Sequence, residues 1–145
     1  DQELKITLIL SGFWGAVYYF IENHPEYHPK IRPVFEAATR QELQLCTSVI
    51  SLLEVLVLPY RHQRHDLVKA YTDILEHNTD LVLLPIDAET AAIAARLRAR
   101  YTLRTPDALQ LAAALFAKAD VFLTHDLRLK QVTEIPVKML SEEML

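Results

Sequence analysis

Glycine is nearly missing from this chain of 145 residues, which holds only Gly12 and Gly15. A loop that cradles phosphate on bare backbone amides needs glycines at fixed intervals ahead of a helix, and Gly12-Phe-Trp-Gly15 fits no such pattern. Dinucleotide and P-loop nucleotide chemistry are set aside on that ground, and no nucleophile elbow is found either. Cys46 is the single cysteine, so neither an internal disulfide nor a thiolate zinc site can form. Its neighbours Leu45 and Val49 suit a small buried hydrophobe. No apolar run reaches the roughly 18 residues of a membrane span. Residues 6–10 make a strand-length run without the basic flank, long apolar region or cleavage site of a signal peptide, and the expectation is a soluble cytoplasmic protein. An excess of positive charge is also lacking. A net charge of −4 argues against one broad basic face for nucleic acid, but a metal-dependent enzyme gathers carboxylates and lets bound cations receive the phosphate.

What the chain does have is apolar periodicity. With 51% hydrophobic residues it can bury a full core as one domain, 1–145, with enough left over to suggest a surface covered by a partner or a second copy. Strand-like runs at 5–10, 81–86, 120–124 and 137–140 alternate with helix-length patterns at 48–58, 63–77, 88–101 and 106–118, and a weaker helical segment covers 29–39. Crossovers of that length predict an α/β sandwich around a mainly parallel sheet. Thr105 is placed to cap a helix starting at Pro106, with Asp107 in its positive first turn, and Pro85 and Asp87 separate a strand from the helix at Ala88.

Three carboxylates stand out by their settings. Glu54 is flanked by Leu52, Leu53, Val55, Leu56 and Val57 on a helix with scarcely any polar face, where an unpartnered buried carboxylate would cost several kcal/mol. The plainer alternative is an exposed stripe on that helix, or a pair with Arg61 or Arg64. Asp107 is explained equally well by its stabilising place in a first helical turn. Asp126 closes Val121-Phe-Leu-Thr-His-Asp126 at the carboxyl end of a strand, where open parallel sheets collect ligands, although aspartate also commonly caps the turn after a strand. The helix of Asp107 leads into that strand, which would set the two acids at opposite ends unless the connection runs along the sheet edge. Spacing alone does not settle their proximity.

Taken together these segments resemble the PIN-domain nucleases, most closely the VapC-like toxin subfamily of bacterial type II toxin–antitoxin pairs, over about residues 20–140. The stretch Thr105-Pro-Asp-Ala-Leu-Gln-Leu-Ala112 is similar to one of the family's most recognisable segments, and Thr124-His-Asp126 resembles its Thr-Asn-Asp. The resemblance implies a PIN-like three-layer sandwich with four to five strands flanked by helices. It also implies a magnesium- or manganese-dependent endoribonuclease that is dimeric and restrained by an antitoxin, with Glu54, Asp107 and Asp126 as catalytic and metal-binding acids. Arg104 and Arg128 are placed as phosphate contacts. One departure stands out, since the family ends its first strand with an aspartate and here Ser11 follows Leu10. Ser11 could hold a water in place of the missing acid but brings no negative charge. The alternative is therefore a catalytically weak or inactive PIN-fold binding protein, acting through antitoxin, dimer or RNA binding.

Weaker signals remain. Arg96, Arg100 and Arg104 recur every four residues and would form one basic line, or a solvated face pairing with Glu89. His62 and His65 read as surface residues, and Trp14, Tyr18 and Tyr19 as core or interface.

Overall fold

The structure is a computed structural model that describes residues 6–10, 32–124 and 126–139. Ser11, both glycines, Trp14, Tyr18, Tyr19 and His125 lie outside those residues. Five parallel strands form the sheet: β1 (Ile6–Leu10), β2 (Leu43–Ser48), β3 (Leu81–Leu84), β4 (Val121–Thr124) and β5 (Val137–Met139), in the order β3-β2-β1-β4-β5. The helices among the described residues are α1 (Arg32–Thr39), α2 (Val49–Arg61), α3 (His65–His77), α4 (Ala88–Arg100) and α5 (Thr105–Phe116), with a 3-10 segment at Leu127–Gln131.

Alternation along the strands makes the three layers. Leu43 and Leu45 of β2, Leu81 of β3 and Leu123 of β4 bury one face of the sheet against Val34 and Ala37 of α1, Val55 of α2, and Tyr71 and Leu75 of α3. Cys46, Phe122 and Val137 bury the other against Ala94 and Leu97 of α4, Ala108, Leu111 and Ala112 of α5, and Leu129 of the 3-10 segment. Burial pushes the Cys46 thiol up to about 11, which suits an inert core residue. The order reverses beside β1, because the crossovers from β1 through β2 to β3 step one way and β4 returns to the opposite side of β1. A reversal of this kind leaves a crevice at the strands' carboxyl ends, the usual ligand position of open parallel sheets.

The strand β2 is not anticipated by the sequence pattern. It runs straight into α2 with no breaking residue, and Ser48 both ends the strand and caps the helix by accepting the Ile50 N–H. Residue 59 is proline, yet α2 continues to Arg61. Asp87 caps α4 as expected, accepting the Thr90 N–H and hydroxyl at 2.9 Å each. Thr105 does not cap α5: Arg104 is the N-cap residue and makes no side-chain cap bond, while Thr105 and Pro106 are the first helical residues.

With glycine so scarce, three helices end on non-glycine residues in the left-handed region. Gln41, Gln63 and Lys118 have φ of 63°, 53° and 56°. Each closes the same pair of backbone bonds after its helix: Gln41 N–H to Ala38 and Glu42 N–H to Ala37, Gln63 to Tyr60 and Arg64 to Pro59, Lys118 to Leu115 and Ala119 to Ala114. These are Schellman motifs, in which glycine is the usual occupant because a Cβ is strained there.

Candidate metal and phosphate site

The helix α5 runs back from the far end of the sheet. Only residues 117–120 join it to β4, and Asp120 is tied to β1 by its N–H on the Thr7 carbonyl (2.9 Å) and its carboxylate on the Thr7 N–H (2.7 Å). A turn that short reverses the chain, so a helix of roughly 18 Å lies antiparallel to the strand and its first turn returns to the carboxyl end of β4. Spacing left the proximity of Asp107 and Asp126 open, and here the first turn of α5 comes back to the strand end that precedes Asp126. The connection places the C-terminus of the helix, not its N-terminus, at the start of the strand.

The Asp107 side chain is only 13% exposed, and Arg104 covers it, with Nε donating to Oδ2 at 3.0 Å and Nη2 to Oδ1 at 3.5 Å. Asp126 starts the 3-10 segment, its Oδ1 accepting the Arg128 N–H at 3.0 Å, and its own N–H is accepted by the Thr124 hydroxyl at 3.1 Å. Arg128 closes on the same carboxylate, Nε to Oδ1 at 3.0 Å and Nη2 to Oδ2 at 2.7 Å. Those side-chain bonds, the backbone bond and the charges of Arg128 and Arg104 hold the Asp126 carboxyl below its ordinary range. In return Asp107 raises Arg104 and Asp126 raises Arg128. Each arginine also feels the other's aspartate, so the four side chains form one electrostatic cluster.

Glu54 sits on the exposed side of α2, and the apolar residues around it are themselves partly in solvent, Leu53 at 62% and Val57 at 39%. Of the two readings open for Glu54, the exposed stripe is the one found: the continuous apolar sequence of the helix leaves Leu53, Val57 and Tyr60 open to solvent as well. Among the described residues no three His, Cys, Asp or Glu side chains gather into a metal cluster, and the acids drawn into a common field are Asp107 and Asp126. What fastens α2 to α5 is a bond that motif reading does not single out. Gln110 Nε2 donates to the Ser51 hydroxyl at 2.8 Å, and that hydroxyl also bonds Thr47 at the end of β2. Ser51 lies one turn before Glu54, and Gln110 one turn after Asp107. All three network residues are buried, so the available signal was polar residues on otherwise apolar helix faces.

The other basic residues separate from this cluster. The line of Arg96, Arg100 and Arg104 is broken, because α4 ends at Arg100, whose side chain bonds Glu134 at 3.3 Å and lies 5.2 Å from the centre of the Tyr101 ring. His62 and His65 are exposed, as expected, and Arg64 pairs with Asp66.

A parallel five-stranded sheet in this order, with helices on both faces, defines an open α/β fold class, and comparison with known proteins narrows it. The PIN domain family model matches residues 15–135, and the chain belongs to that family. Among solved structures it is similar to VapBC2 from Rickettsia felis, bound to a DNA fragment from its promoter, with a TM-score of 0.67 and 16% identity over 92% of this chain and 98% of that one. A toxin–antitoxin complex from Klebsiella pneumoniae gives 0.61 and 20% over 94% and 99%. VapC20 from Mycobacterium tuberculosis, a toxin that cleaves the sarcin–ricin loop, gives 0.58 and 17% over 80% and 86%. No curated protein matches the chain in sequence.

Proposed function

We propose that this chain is a divalent-metal-dependent endoribonuclease of the PIN toxin type, working as one domain in the cytoplasm with an antitoxin as its protein partner. The observation that carries the reading is the convergence of Asp107 and Asp126, from separate elements, on one cluster in a PIN-family chain. Its donor set fits a hard cation: carboxylate oxygens, partly open to water, suit magnesium or manganese, which one or two acids can hold while several waters remain. Glu54 would be the third acid, on a helix fastened to α5 one turn away from each. An ion so held supplies Lewis-acid activation of the scissile phosphate and of water. The chain's own part is to orient the carboxylates, through the first turn of α5 and the Thr124 hydroxyl, and to offer Arg104 and Arg128 to the phosphate backbone. The similarity to toxin–antitoxin structures supports an antitoxin. The open stripe of Leu53, Val57 and Tyr60 supports a covering protein surface, either that antitoxin or a second copy in a homodimer.

The test is cleavage of a structured RNA with magnesium, manganese or chelator, beside an Asp107→Asn preparation carrying the same contaminants. Metal-dependent cleavage that falls by about 100-fold or more in the variant is expected, since small losses of site geometry already cost that much. Cleavage that persists in Asp107→Asn would remove Asp107 from the chemistry. The second reading, a PIN-fold binding protein with little catalysis, is favoured by Ser11 standing where a first-strand acid belongs. It gains if folded protein cuts no RNA and Ser11→Asp restores nothing.

A further inference from the structure

Both carboxylates of the cluster are met by the same device. Arg104 reaches the two oxygens of Asp107 from the i−3 position, and Arg128 reaches the two oxygens of Asp126 from i+2. The arginine side chains are 65% and 67% exposed, whereas the aspartates are 13% and 26% exposed, so the guanidiniums lie over the acids on the solvent side. A divalent cation approaching from solvent needs those same oxygens. A planar fork that satisfies both oxygens of a carboxylate competes directly for its lone pairs, and guanidiniums this exposed have room to swing out into water.

We propose that Arg104 and Arg128 are built-in counter-ions, which a divalent cation must displace from Asp107 and Asp126 before the site is loaded. The proposal rests on the metal-site reading above and adds an exchange: the guanidiniums hold the acids in place, then swing out when the ion takes over their charge. Metal affinity is set lower than the acids alone would give, and loading changes the position of two arginines that face any bound phosphate.

The arginine side chains report this directly. In nitrogen-15-labelled protein, the Nε–H signals of Arg104 and Arg128, assigned by their loss in Arg104→Gln and Arg128→Gln, are followed as magnesium is added. Manganese affinity is measured by electron paramagnetic resonance for the wild type, the double glutamine variant and Asp107→Asn. Both Nε–H signals are expected to move together on saturation. The double variant should bind manganese at least about threefold tighter, the scale of a weak exposed ion pair at each carboxylate, and Asp107→Asn should lose the binding. If manganese binds through Asp107 but the signals stay in place and the double variant binds no more tightly, the exchange is overturned while the metal site stands. If no manganese binding depends on Asp107, the metal-site reading and the exchange fall together. The arginine side chains are largely in solvent, and Arg104→Lys with Arg128→Lys, which keeps charge but loses the fork, serves should the glutamine pair not fold. Its affinity is expected between those of the wild type and the glutamine pair, and equality with wild type would count against competition by the fork.

Discussion

Gln110 is buried to 2% exposure on α5, with its amide nitrogen on Ser51 and no partner for Oε1 among the described residues. That asymmetry sets a prediction. Ser51→Ala removes the acceptor of a buried donor and leaves Thr47 without its hydroxyl partner, so it should cost about 1–3 kcal/mol of stability. Gln110→Leu removes an amide that is already half satisfied and keeps the Thr47–Ser51 bond, so it should cost less than Ser51→Ala. Urea unfolding of the two variants checks the order, and a larger loss for Gln110→Leu would contradict it. The same residues show what a sequence yields at this scale. Asp107 and Asp126 are legible because a proline-led helix start and a strand end are local patterns. The bond between Ser51 and Gln110 joins residues 59 positions apart, and nothing local announces it.

Among the elements, the Schellman ends at Gln41 and Gln63 offer a test of the glycine shortage. A side chain held at φ of 63° or 53° is strained by its Cβ, and glycine would relieve that strain. Gln41→Gly and Gln63→Gly should each stabilise the fold by about 0.5–1 kcal/mol, read as a higher melting temperature. No gain at either site would mean that these glutamines make compensating contacts. The four longer helices were visible in the sequence because their apolar spacing repeats over three turns or more. Their edges were less so: Thr105 has the composition of a cap, but the chain turns into α5 one residue earlier. Strand β2 escaped notice because its six residues alternate poorly, with Gln44 alone exposed, and no turn separates it from α2.

For the molecule as a whole, acid is the expected weakness. Asp66, Asp87, Asp126 and Glu134 all have carboxyls held below their ordinary range by hydrogen bonds, from Arg64, Thr90, Arg128 and Tyr101 in turn, and Asp66 is drawn down to about 2. A folded value below the unfolded one, about 3.9 for aspartate, means the stabilisation is fully present above that unfolded value and is lost as pH falls through the folded one. The melting temperature should therefore be level from pH 7 to about 5 and decline between about pH 4 and pH 2, with a smaller decline in high salt because Asp66 and Asp87 are exposed to screening. A melting temperature that holds below pH 3 would show that these bonds contribute nothing.

The sheet's layered class followed from alternating apolar runs, but its strand order did not, since parallel pairing leaves no turn to mark which strands are neighbours. That order has a consequence for synthesis. The central strand β1 pairs with β2 on one side and with β4, more than a hundred residues later, on the other. A chain emerging from the ribosome can assemble β1, β2 and β3 with α1 to α3 early, because domains tend to fold from the N-terminal side as they emerge. The half that carries Asp107 and Asp126 docks only after β4 has been made. Until then Asp107 and Asp126 are not brought together. The interval between the first layer and the last is a window in which any partner that recognises α2 can bind a chain whose sheet is still incomplete.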